Sequence, residues 1–138
     1  MYNKFALTLE DAKAIAAAAR AKAVDNNWNV VIAVLDEGGH LMYLERMDRT
    51  QLGSVQVAQE KARSAYLFRR PTKKFEEIVT GGRLVMLNLP GALPVEGGLP
   101  LMVDGELIGA IGVSGVQSAQ DGIISEAGAA LAATFKLS

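Results

Sequence analysis

The chain contains no cysteine and one histidine, His40. The first absence excludes a disulfide framework, a thiolate metal site and a cysteine nucleophile. The second leaves too few donors for an ordinary protein zinc site, which takes three or four N, S or O ligands. Aromatic residues make up 6% of the 138 positions, too few for the interleaved stacking platform that binds single-stranded nucleic acid. The 14 basic and 15 acidic residues leave a net charge of −1, so no global field draws the chain to nucleic acid or anionic lipid. No apolar run approaches the ~20 residues that cross a bilayer. The opening MYNKFALTLEDAK has no long apolar signal segment. The expected setting is cytoplasmic, with neither a membrane nor a nucleic-acid partner.

What is abundant is small and apolar. Half the residues are hydrophobic and 21% are charged, which fits one globular domain over residues 1–138. A chain of this size buries about two thirds of its unfolded surface, enough for a core without covalent staples. The excess of alanine and glycine implies close packing. Thr8 to about Asn26 reads as a helix, with Thr8 and Asp11 in a capping box. Leu9, Ala12, Ala16, Ala19 and Ala23 form its apolar stripe. Ser54–Phe68 reads as a second helix with Ala58, Ala62 and Ala65 on its packing face. Pro71 ends it, and Thr72 caps a short third helix to about Val79. Arg83–Leu89 fits helix or strand. A last helix runs from about Ala119 to Leu137.

Between the helices lie strand signals. Val30–Leu35, VVIAVL, is apolar on both faces and reads as a central strand. The turn Asp36–Gly39 follows, with positive φ expected at both glycines, and His40–Met47 returns. Pro90–Gly98 is a Gly/Pro-rich loop. Leu99–Val103 and Glu106–Ser114 flank Asp104-Gly105, the strongest hairpin signal in the chain. The segment GAIGVSG, Gly109–Gly115, lies inside that second hairpin strand. Its G-x-x-G-x-x-G spacing and antiparallel setting both differ from the dinucleotide fingerprint, which opens a parallel crossover. The glycines are expected to admit alanine-rich helices against the sheet.

Chemistry-bearing groups are few. His40 stands at a strand end, with no G-x-S-x-G elbow for a serine triad. A haem iron, which needs only one or two protein ligands, remains open to it. Asp36, Glu37, Glu96, Asp121 and Glu126 are the acid-base candidates. Most of them are expected to be solvated or to serve turns, and Asp121 is expected to cap the last helix. The connection Ser114–Asp121 joins a strand to a helix N-terminus, where free N–H groups can meet an anion. The basic set Lys61, Arg63, Arg69, Arg70, Lys73 and Lys74 suits a solvated helix face or pairing with ligand carboxylates. A single ligand pocket is expected near Glu96, Gly97, Gly98, Asp36 and His40, with Ser114 and Asp121 close by.

Several stretches, LTLEDAKAIAAAA, IAVLDEGGHL, ERMD, EKARSAYLFRRPT, EGGLPLMVDGELIGAIGVSG and the closing QDG with its alanine-rich helix, run in order across almost the whole chain. Together they resemble the GlcG/HbpS family of small haem-binding or haem-degrading proteins. The same domain is similar to the C-terminal part of PduO-type cobalamin adenosyltransferases. The resemblance implies a profilin-like α/β (α+β) domain: an antiparallel sheet of about five strands flanked by helices. It also implies a homo-oligomer and, in some members, binding of haem or a corrinoid-related ligand. Where members often carry MDG, this chain has Met47-Asp48-Arg49.

Three readings follow from the resemblance. The first is a binder of haem or a related tetrapyrrole. In that case His40 is the one histidine available to the iron, with Tyr2, Tyr43, Tyr66 and the methionines as other ligands and the basic set as propionate partners. The second is an accessory enzyme or binding module in small-carboxylate (glycolate-like) or diol catabolism. The third is an assembly protein without a small-molecule ligand. Whether the chain is catalytic is left open.

Overall fold

The computed structural model describes residues 1–136. Helices α1 (Leu9–Asp25), α2 (Ser54–Phe68), α3 (Thr72–Thr80) and α4 (Ser118–Ala132) surround strands β1 (Val31–Leu35), β2 (Leu41–Arg46), β3 (Gly98–Val103) and β4 (Glu106–Ser114). The strands form one antiparallel sheet in the order β2-β1-β4-β3. The fold is α+β, as expected, with four strands where about five were expected. The undecided segment forms a 3₁₀ helix, Leu84–Asn88. LVMLN is apolar without a two-residue alternation, so nothing settles one face of it on a sheet. A short-range bond, Met86 N–H to the Arg83 carbonyl at 3.3 Å, closes its first turn.

β1 is fully buried because both sheet faces are covered. Ile32 and Val34 join Ile111, Val113, Leu101 and Val103 under α1 and α4, where Ile15, Ala16 and Ile124 complete the main core. Val31, Ala33, Leu35 and Ala110 face Ala58, Ala62 and Ala65 of α2. The residues on this second face are small, and α2 lies almost on the sheet backbone. Gly112 makes that approach possible, since a Cβ there would collide with the Ala58 carbonyl. So GAIGVSG serves packing. Gly112 admits α2, while Gly109 lies against the Leu35 carbonyl and Leu7 rather than against an alanine helix.

Local signals explain most boundaries. Thr8 Oγ1 accepts from Asp11 N at 3.1 Å and Asp11 Oδ2 accepts from Thr8 N at 2.9 Å, completing the capping box. Asp104 and Gly105 have φ of +49° and +80°, the paired positive values of a type I′ hairpin. Other expectations need correction. Leu9 is exposed, and Ile15 takes its place in the α1 stripe. In the Asp36–Gly39 turn only Gly39 has positive φ. Pro71, not Thr72, precedes the first turn of α3, and the Thr72 hydroxyl instead accepts from Gly98 N at 2.9 Å. α4 ends at Ala132, short of the expected Leu137, which lies outside the described residues.

Candidate functional site

The sequence-expected residues fall at opposite edges of the sheet. Glu96, Gly97 and Gly98 enter β3 at one edge, whereas Asp36 and His40 precede β2 at the other. The two strands are separated by β1 and β4, and among the described residues Glu96, Gly97 and Gly98 line one cleft and His40 another.

At the β3 edge, α2 crosses the incoming chain. A Cβ on Gly97 would stand 2.6 Å from the Val113 carbonyl oxygen and 2.8 Å from Lys61 Nζ, and one on Gly98 would collide with the Lys61 carbonyl. The Lys61 ammonium donates to the Val113 carbonyl and to Asp121 Oδ2, both at 3.0 Å. Both side chains of this pair are 2% exposed. Asp121 Oδ1 also accepts from Val116 N at 3.1 Å. Burial raises the Asp121 carboxyl above its ordinary value, and the adjoining Lys61 ammonium opposes that rise. Asp121 is therefore an internal counterion rather than the helix cap. That place belongs to Gln117, paired with Gln120. Lys61 is correspondingly not part of a solvated face. Ser114, also buried, donates to Ser54 Oγ at 3.1 Å and links β4 to α2.

Outside this pair lies a cleft of about 220 Å³ whose walls include Lys73, Glu96, Gly98, Gly122 and Glu126. The Glu96 carboxylate rests on Gly122, where any side chain would collide with it. Burial raises the Glu96 carboxyl. Lys73 opposes the rise, and the carboxylates of Glu76 and Glu77 add to it. A carboxyl held closer to its protonated form beside a lysine can exchange a proton or hold a small polar ligand.

At the β2 edge, Asp36 Oδ1 accepts from the backbone N–H groups of Gly38 (2.9 Å) and His40 (3.0 Å), so it is occupied in shaping the turn. The Tyr66 hydroxyl donates to the Glu37 carbonyl at 3.0 Å, and its ring lies where a Gly39 side chain would stand. This clamp fixes the turn that presents His40. The imidazole is exposed in a cleft of about 260 Å³ shared with Gln56, Gln59, Glu60 and Arg63. Among the described residues, no three His, Cys, Asp or Glu side chains converge on a possible metal position. No described helix is long and apolar enough to cross a membrane.

A four-stranded antiparallel sheet covered on both faces by helices, with small clefts at its two edges, defines an α+β domain. Residues 7–130 match the family described as haem degrading protein HbpS-like, and the chain belongs to that family. Protein GlcG of Escherichia coli strain K12 is 48% identical over 114 residues, covering 83% of this chain and 85% of GlcG. A double mutant of HbpS from Streptomyces reticuli superposes with a TM-score of 0.84 at 30% identity, covering 95% of this chain and 90% of that one. A structure described as a PduOC–haem complex superposes with a TM-score of 0.82 at 29% identity, covering 91% and 94%.

Proposed function

We propose that this protein binds haem, or a related tetrapyrrole, at the His40 cleft of a homo-oligomer. The observation that carries the reading is the exposed imidazole of His40, held on a clamped turn with Arg63 in the same cleft. The haem complex of PduOC supports the ligand class by similarity. The residues suit the group. A ring nitrogen of His40 is free of any side-chain hydrogen bond among the described residues and can ligate iron, and Arg63 can pair with a propionate. Bound haem would supply the iron centre and its redox chemistry, while His40 and Arg63 orient it. The cleft of about 260 Å³ falls below the ~300–1,000 Å³ of sites that enclose a ligand of ordinary size. One protomer therefore covers only part of a macrocycle, and a second copy of the chain would close over the rest.

The test is haem titration of the full chain. Saturable binding with a histidine-type spectrum is expected. His40→Ala should abolish that spectrum with unchanged circular dichroism, since the side chain is exposed. A variant that keeps the wild-type spectrum and affinity would remove His40 from the site. A wild-type chain that binds no haem saturably would overturn the reading.

A further inference from the structure

A third cleft, of about 380 Å³, lies between the N-terminal segment, the end of α2 and the Asp104–Gly105 turn. Neither site above includes it. Its charged walls are Lys4, Glu37, Arg69 and Glu106, with Tyr2 and Tyr66 beside them. Among the described residues these four charges form no ion pair with one another. Glu37 Oε2 is the one side-chain polar atom, among the described residues, that is shielded from solvent without a hydrogen-bond partner. A carboxylate oxygen in that state is unfavourable until a donor reaches it. The backbone of Glu37 cannot move off the wall easily, because Tyr66 holds its carbonyl. Arg69 contributes a second irregularity. It closes α2 in the left-handed region, at φ +53°. Glycine normally fills that position, and a side chain there carries a conformational cost.

We propose that this cleft binds a small carboxylate bearing a hydrogen-bond donor on the carbon next to its carboxyl group. Arg69 and Lys4 hold the ligand carboxylate. The ligand's hydroxyl or ammonium donates to Glu37, whose side chain turns Oε2 toward it. Two cations and two carboxylates make the lining neutral in sum. It therefore suits a ligand that brings both an anion and a donor better than a bare polyanion. The volume, near the lower end of the ~300–1,000 Å³ usual for ligand pockets, restricts the ligand to a few heavy atoms beyond the carboxylate.

Three probes of equal carbon count separate the terms: L-lactate carries a hydroxyl, L-alanine an ammonium, and propionate neither. Titration of the full chain, followed by amide chemical shifts, should give saturable binding of lactate or alanine at least about tenfold tighter than propionate. Whichever of the two binds tighter identifies the donor. Glu37→Gln and Arg69→Gly should each weaken that binding about tenfold or more. Melting temperatures should hold or rise, because one change removes an orphaned charge and the other places glycine at a left-handed residue. Equal affinity for all three probes, binding of none, or wild-type affinity in both folded variants would overturn the proposal. It is independent of the haem reading: Arg69→Gly should leave any haem spectrum at His40 unchanged, so the two can fail separately.

Discussion

Lys61 is the residue whose role is furthest from its type. A lysine on a helix is ordinarily solvated, yet here the ammonium neutralises Asp121 and caps the Val113 carbonyl beyond the last rung between β3 and β4. One signal was legible: Ala58, Lys61, Ala62 and Ala65 share the i, i+3, i+4, i+7 spacing of the buried face of α2. Its partner was not, because 60 positions separate the two and only the tertiary fold joins them. Asp121→Asn should destabilise the protein by about 3 kcal/mol, because it leaves a buried ammonium without a counterion. Lys61→Met should cost a comparable amount. The double variant should cost less than the sum of the two, since each single change strands the other charge. Urea unfolding of the four proteins measures the coupling, and strict additivity would mean that the pair carries no mutual stabilisation.

Elements bounded by strong turn chemistry were readable at once. Asp104-Gly105 and the Thr8 capping box depend only on residues within a few positions of each other. Elements whose form depends on what covers them were not. Arg83–Leu89 offered no period, and the separation of His40 from Glu96 follows from strand order, which no local pattern encodes. Glycine was legible as a packing device, and its alanine-helix partner was legible at Gly112 but not at Gly109, which meets Leu35 and Leu7. Gly112 sits where the α2 backbone meets β4, so Gly112→Ala should push the helix off the strand and destabilise by roughly 1–3 kcal/mol. Gly53→Ala is the control: it precedes α2 in a right-handed conformation with nothing within 4 Å of an added Cβ. That change should be neutral or slightly stabilising. Denaturation midpoints compare the two, and equal effects would dismiss the close approach as the cause.

At the scale of the whole molecule, several large apolar side chains of the described residues lie on the surface, outside the core. Leu84, Val85 and Leu87 are 61%, 60% and 56% exposed on the 3₁₀ helix, which packs chiefly on α3. Leu67 at the end of α2 is exposed as well. Apolar side chains gathered in one short segment mark association surfaces more often than isolated exposed leucines do. The proposed haem site needs a second wall, and a second copy of the chain answers both requirements. Light scattering at micromolar concentration should therefore give a mass that is a multiple of 14.6 kDa. Leu84→Asp combined with Leu87→Asp should shift the mass toward the protomer without loss of helical circular dichroism, because neither side chain supports the core. Haem affinity should fall in the same variant if the macrocycle is shared between copies. A wild-type protein that scatters as a monomer would sink the oligomer and leave any tetrapyrrole at His40 open to water on one face.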